Sequence, residues 1–153
     1  MRRYPPMALL ALLAGFLSAL AAPQEGEVKK DLERLRGTWT LVSAERDGKP
    51  APVDEVKKTR ITFAGTTFVF PAASGVGTSR KGTIKLDPSK TPKWMDAQAT
   101  EDAGKGKVSL GIYEIAGDDY KVCFAPPGKE RPKEFASRPG SGHILQVWKR
   151  AKD

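Results

Sequence analysis

Histidine and cysteine are almost missing from this chain: His143 and Cys123 are the only ones among 153 residues. A lone cysteine cannot close an internal disulfide, so the fold must be held by its core. A lone histidine removes any multi-histidine metal centre. Zinc asks for three or four convergent Cys, His or carboxylate ligands, and no such spacing occurs. Asp118 and Asp119 sit side by side but lack the ligand series of a calcium loop; a hairpin turn accounts for them. There is no phosphate loop, no G-x-S-x-G elbow and no HExxH. Glu45, Glu114 and Glu134 offer no acid pair, because strand carboxylates ordinarily face solvent. These absences leave no catalytic residue and no cofactor to name. They also leave the specific activity unread.

Long basic runs are missing too. Lys and Arg number 26 against 18 Asp and Glu, a formal charge of +8. None of these residues forms an extended or aromatic-interleaved run, so nucleic acid is not an expected partner.

What is present begins with an export pattern. Arg2 and Arg3 precede the charge-free run Met7 to Ala22, and Ala19 and Ala21 make an A-x-A cleavage site. The expectation is a signal peptide over residues 1–21, removed after Ala21, with no stable membrane span afterwards. Residues 22–36 then form a linker and short helix, and residues 37–153 a single domain. The implied location is periplasmic or extracellular. Losing two arginines leaves 24 basic against 18 acidic residues, a mature charge of +6. Such a surface could meet an anionic molecule or an acidic envelope protein.

Helix-forming periodicity is scarce in the mature region. Only Gln24 to Leu35 carries it, with Val28, Leu32 and Leu35 on one stripe. Everything after Gly37 reads as short strands between turns: GTWTLVSAE, RITF, TFVF, KGTIKLD, KWMDAQA, VSLGIYEI, YKVCF and HILQVWKR. Asp47-Gly48, Ala64-Gly65-Thr66 and Gly117-Asp118-Asp119 are hairpin signals. Val53 to Lys57 reads as one helical turn. With so few helices between strands, parallel construction is disfavoured. The prediction is an all-β fold, a single eight-stranded antiparallel up-and-down barrel with a short N-terminal helix, with a two-sheet sandwich as the competing architecture.

Leu35-Arg36-Gly37-Thr38-Trp39 resembles the G-x-W signature on the first strand of lipocalin-type barrels. The closing Trp148-Lys149-Arg150 is similar to the basic last strand of that group, which implies that Arg150 packs over Trp39 while Gly37 and Trp39 build the narrow end. More broadly, GTWTLVSAERDGKP, TIKLDPSKTPKWMD, GIYEIAGDDYKVCFAPPGKERPKEF and VWKR resemble an uncharacterised family of small secreted lipocalin-like proteins, abundant as paralogues in planctomycete bacteria. The resemblance runs from about Leu32 to Arg150 and implies fold and export, but no activity and no catalytic residues. Trp94-Met95-Asp96-Ala97 departs from the Ile-Asp-Leu pattern of that family.

The segment most like a site is YKVCFAPPGKERPKEF, Tyr120 to Phe135. Alternation puts Tyr120, Val122 and Phe124 on one face of a strand and Lys121 and Cys123 on the other. Cys123 has three readings: a buried packing residue, a reactive thiol if His143 approaches it, or an intermolecular partner. Pro126-Pro127-Gly128 and Arg131-Pro132 stiffen the connection that follows. It reads as a structured flap at a barrel rim, where Phe124, Arg131 and Phe135 would touch a ligand and Arg131 would offer a donor fork to a carboxylate or phosphate. Trp39, Phe63, Phe70, Tyr113 and Phe124 are the aromatics expected to line the interior. Two functions remain open. One is an exported non-enzymatic barrel that binds a small, partly apolar molecule. The other is a structural or interaction module of the envelope with a side-chain-filled barrel. They differ in whether the interior holds a cavity of ligand size.

Overall fold

The computed structural model describes residues 25–71 and 80–152. The export segment, residues 1–21, and the proposed cleavage site lie outside the described residues, as does most of the glycine-rich loop over residues 72–79.

Helix α1, Glu25–Leu35, comes first, followed by β1 (Gly37–Arg46), β2 (Lys49–Pro50) and helix α2 (Val53–Lys58). The remaining strands are β3 (Arg60–Ala64), β4 (Thr67–Phe70), β5 (Arg80–Asp87), β6 (Lys93–Ala99), β7 (Val108–Ala116), β8 (Asp119–Phe124) and β9 (Ile144–Arg150). One 3-10 turn, Asp102–Gly104, sits between β6 and β7. Neighbouring strands pair antiparallel in the order β2-β1-β3-β4-β5-β6-β7-β8-β9, and β1 also pairs β9. Eight strands thus close into a barrel, and β2 extends it by one short hairpin arm. The sandwich alternative is excluded. Closure removes the edges that an open sheet would leave for aggregation.

The strand β2 was not expected as a separate element. Asp47 (φ 52°) and Gly48 (φ 77°) both occupy the left-handed region, the geometry of a two-residue hairpin turn. That turn pairs Arg46 with Lys49 and Glu45 with Pro50 before Pro52 ends the arm. The short arm is read from sequence as a break because its two residues carry no alternation.

One end of the barrel is sealed. The Trp39 ring is fully buried there, and its Nε1–H donates to the Leu35 carbonyl at 2.7 Å. Arg150 covers the indole with its guanidinium carbon 4.3 Å from the ring centroid. The same guanidinium donates to the carbonyls of Arg36 (2.9 Å) and Arg34 (2.6 Å), which fixes the last turn of α1 to the last strand. Cation–π attraction and two charge-assisted hydrogen bonds therefore act on one side chain. Gly37, at φ 108°, makes the turn from helix into strand. Its Cα faces Arg150, since a Cβ there would lie 3.6 Å from a guanidinium nitrogen.

The apolar stripe of α1 meets the core as expected. Leu35 is buried, and Val28 and Leu32 pack against the interior cluster. Trp39 makes an edge contact with Tyr120 at 5.7 Å, and Tyr120 another with Phe63 at 5.9 Å, so aromatics stack up the barrel axis from the sealed end. Strand alternation places Ile84 and Leu86 inward, as it does Met95, Tyr113, Val122 and Trp148, and it is interrupted in β1 by a bulge between Leu41 and Ser43. The departure at Trp94 is absorbed outside. Its ring lies between Lys90 (4.8 Å) and Arg131 (4.2 Å) while Met95 takes the interior position.

Trp39→Ala removes the largest side chain of the sealed end, and the expected loss of stability is ~3–5 kcal/mol. A change under ~0.5 kcal/mol in urea unfolding would show that the indole does not anchor this end.

Candidate binding site

Among the described residues the opposite end is open. The antiparallel register fixes its rim: the α2 region, the start of β5, the β6–β7 connection and the start of β9 all lie at the end away from Trp39. A cleft of about 460 Å³ opens there. Its walls include Leu41, Ala44, Ala51, Pro52, Phe70 and Ile144, and its charged rim carries Glu45, Arg46, Lys49, Glu55 and Arg80. Three cations and two carboxylates give the rim a small positive excess. The floor of the cleft is formed by Phe70 and Gln146, which also line a second hollow deeper in the barrel.

That inner hollow is small, about 50 Å³. Ile61, Phe63, Phe68, Phe70, Ile84, Met95, Ala97, Tyr120, Phe124, Gln146 and Trp148 enclose it. Ligand cavities run to a few hundred cubic ångströms, so the deep interior as it stands has no room for such a molecule. Two glycine–aromatic pairs explain the filling. Phe124 lies opposite Gly111 across the β7–β8 pairing, and a Cβ on Gly111 would meet the Phe124 ring at 2.5 Å. Phe68 lies opposite Gly82 across β4–β5, and a Cβ on Gly82 would collide with its ring. Each glycine vacates the space that a ring then occupies.

Tyr120, Gln146 and Trp148 are the polar-tipped side chains among its lining residues. The Tyr120 hydroxyl has only the thioether of Met95 as partner among the described residues, at 3.3 Å. Burial pushes its pKa far above the ordinary value, so it stays a neutral hydroxyl. The Trp148 Nε1–H, on a residue 1% exposed, has no hydrogen-bond partner among the described residues. Gln146 faces inward between Ala44 and Val122, its cross-strand neighbours. The sequence reading missed Gln146, Trp148 and Tyr120 as lining residues. For Gln146 and Trp148 the signal was the alternation of HILQVWKR, which sends Ile144, Gln146, Trp148 and Arg150 to one face and so places a polar amide inside.

The structure divides the residues named from sequence into three places. Phe63, Phe70 and Phe124 come together around the inner hollow. Trp39 and Tyr113 belong to the sealed end instead. Arg131 and Phe135 lie on the outer wall, so the expected flap at the rim is corrected: the connection from Ala125 to His143 runs along the outside of the barrel. Arg131 forms an ion pair with Asp96 at 2.6 Å and donates to the Gly111 carbonyl at 2.7 Å, and its plane covers Trp94. Its Nη1 is therefore engaged within the chain. The Phe135 ring lies under the Lys121 ammonium at 4.5 Å, on the outward face of β8. The connection ties back to the β1–β2 turn, where the Gly142 N–H donates to Asp47 and the Gly48 N–H to the Ser137 hydroxyl. A rigid proline-rich segment can seal a wall as well as a mouth, and its sequence does not distinguish them.

Cys123 is what the connection covers. The thiol is fully buried on the outward face and donates to the Ala136 carbonyl at 3.4 Å. Burial pushes its pKa up, away from the thiolate. His143 lines a separate outer cleft with Arg131, Lys133 and Glu134, and no hydrogen bond links it to Cys123 among the described residues. The carboxylates also stay apart: Glu114 pairs with Lys121 and Glu134 with Arg138, while Glu45 sits at the mouth. Among the described residues no group of three or more His, Cys, Asp or Glu is placed to hold a metal. No helix among them is long and apolar enough to cross a membrane.

A charged cluster unsuspected from sequence closes the sealed end. Asp31, on the inner side of α1, is 0% exposed. Its carboxylate accepts from Lys93 Nζ at 2.7 Å, from the Tyr113 hydroxyl at 2.8 Å and from Arg34 at 3.3 Å. Burial raises its pKa, but the bonds from Lys93 and Tyr113 and the charges of Lys93 and Arg34 outweigh it, leaving the carboxyl below its ordinary value. Burial and the adjacent Asp31 push the Tyr113 hydroxyl far above its usual range. The helical stripe hid Asp31, because a heptad-like reading counts apolar positions and Asp31 lies between Val28 and Leu32.

The chain matches no protein-family model, no curated protein and no solved structure.

Asp31 gives a pH signature. A depressed folded-state pKa contributes stability that is present above the ordinary value of 3.8 and is lost as the pH falls through the lower folded value. Asp31→Asn should cost about 1–3 kcal/mol at neutral pH by leaving a charged hydrogen-bond set without its acceptor. It should also flatten the acid limb of stability against pH, and an unchanged acid limb would remove Asp31 from that role. For Cys123, a thiol reagent should label native protein only as fast as the wall opens, and unfolded protein immediately. Rapid labelling under native conditions would refute the sealed wall.

Proposed function

We propose that this protein is an exported, non-enzymatic binding protein that takes a small, partly apolar molecule at the open mouth of its barrel. The observation that carries this reading is the 460 Å³ cleft, whose floor is shared through Phe70 and Gln146 with the inner hollow. Its size falls within the range of small-molecule sites. Its composition fits as well, with aliphatic and proline walls beneath a rim of three cations. A molecule with an apolar body and a polar or anionic outer end would bury the one against Leu41, Ala44 and Phe70 and leave the other near Arg46, Lys49 or Arg80. The reading moves the binding region upward from the one expected in the barrel interior, because Phe68 and Phe124 occupy that space.

Export rests on the leader pattern of residues 1–21 and on the resemblance to secreted lipocalin-like proteins. Binding without catalysis is supported by the buried thiol, the engaged Arg131 and the scattered carboxylates, which give the mouth no assembled acid, base or nucleophile. The filled deep interior favours the second reading, an interaction module of the envelope, to the extent that the mouth cleft stays empty in solution.

Anilinonaphthalene sulfonate, an apolar anion, separates the two. Purified protein should bind it at one site with a rise in fluorescence. Ala44→Trp, which fills the cleft from its wall, should abolish that binding while leaving thermal unfolding cooperative. Binding of equal strength by the folded variant, or none by the native protein, would turn the assignment to the interaction module.

A further inference from the structure

Trp148 lines the mostly apolar hollow, and its indole N–H is a buried donor without an acceptor among the described residues. Buried donors left unpaired are rare, because each forfeits the hydrogen bond it made to water. The other two indoles are accounted for: Trp39 donates to Leu35, and Trp94 lies exposed at the outer wall. Two residues before Trp148 on the same face, Gln146 brings an amide to the junction between hollow and cleft. No hydrogen bond of its side chain occurs among the described residues, so it too has donors free at the site. Among the described residues the Tyr120 hydroxyl is held only by a sulfur, a weak acceptor. Trp148 and Tyr120 lie below Gln146, at the lower end of the path that starts at the mouth.

A hollow of about 50 Å³ holds a group of two or three heavy atoms, no more. Phe70 stands between hollow and cleft and contacts both the Phe68 ring (5.9 Å) and the Trp148 ring (6.2 Å). Phe70 is only half-buried, at the end of a four-residue strand. A turn of its side chain would join the hollow to the cleft and leave a single channel from rim to Trp148.

We propose that Trp148, with Gln146 above it, recognises a neutral hydrogen-bond acceptor at the leading end of the ligand, a ketone, aldehyde or ester carbonyl carried on an apolar chain, and that Phe70 gates its access. This inference rests on the mouth site and deepens it. A carbonyl suits the hollow for a physical reason. It accepts but does not donate, so it satisfies the indole N–H without bringing a second unpaired donor into an apolar chamber. A carboxylate would need its charge neutralised there, and the cations of the site lie at the rim, at the other end of the cleft. An alcohol would accept the indole N–H but still need an acceptor of its own.

The test uses the full folded chain labelled with nitrogen-15 and a pair of probes, 2-octanone and 1-octene, equal in chain length and differing in the carbonyl. Trp148→Phe identifies the Trp148 indole resonance by its loss. With 2-octanone that resonance should move downfield as the N–H gains an acceptor, while the Trp39 indole resonance stays in place. Native protein should bind the ketone about fivefold to tenfold more tightly than the alkene, the effect of one hydrogen bond to a previously unpaired donor. In Trp148→Phe the preference should disappear while both probes still bind. Phe70→Trp, a bulkier gate, should slow association of both.

If both probes bind equally to native protein and the Trp148 resonance does not shift, acceptor recognition is overturned while the mouth site stands. If neither probe binds, the mouth site and the inference fall together. A Trp148 resonance that shows a resident, slowly exchanging water and is indifferent to 2-octanone would also overturn the proposal, since a structural water then satisfies the indole. Should Trp148→Phe fail to fold, the probe preference in native protein decides alone.

Discussion

Everything in this molecule depends on β1 finding β9. Apart from β8–β9, which is joined by the connection over residues 125–143, all other strand pairings join neighbours in the chain or near-neighbours across a shorter excursion, and pairings of that kind form from local signals. The β1–β9 pairing joins residues 37–46 to residues 144–150 and turns a ribbon into a cylinder. It is also the seam that holds the sealed end. Arg150 crosses it to cover Trp39 and to bind the carbonyls at the end of α1, so helix, first strand and last strand meet on one guanidinium. Without a disulfide, this junction and the aromatic column above it do the work that a covalent link would do in a smaller secreted domain.

The two ends of the barrel solve opposite problems. At the sealed end a buried carboxylate, Asp31, binds Lys93 and Tyr113 and so locks α1 across the opening. Such a cluster costs desolvation and returns orientation, because only one placement of the helix satisfies all its partners. At the mouth no comparable lock occurs among the described residues. The same sheet there surrounds a cleft, and below it the Trp148 N–H has no partner among the described residues. Satisfied polarity at one end and unsatisfied polarity at the other is the asymmetry on which the proposed binding orientation rests.

Much of the fold was legible from residues alone, and the reason is alternation. A strand buried on one face writes its geometry into every second residue, so Ile84 and Leu86, or Tyr120 and Val122, announced both strand and side. Turn chemistry at Asp47-Gly48 and Gly65 supplied the connections, and the GTW segment with Arg150 gave closure. The site was less legible, for two physical reasons. Alternation assigns a face but not a height along the barrel axis, so Trp39 and Tyr113 could not be told apart from Phe70 and Phe124. A proline-stiffened connection carries its shape in its backbone but not its destination, so Arg131 and Phe135 read as rim residues although they seal the outer wall. Asp31 and the Trp148 N–H were hidden more deeply, since a buried polar group is defined by partners that lie far away in sequence.

The seam between first and last strands has an implication for biogenesis. Until residues 144–150 are available, the growing sheet is an unclosed band with β1 and β8 as bare edges, each presenting unpaired backbone donors and acceptors. A chain synthesised from its N-terminus delivers those residues last. The nascent protein must therefore be shielded by some other agent, or by its own transient collapse, for as long as synthesis takes, and any product cut short of Ile144 is left as an adhesive ribbon that cannot seal itself.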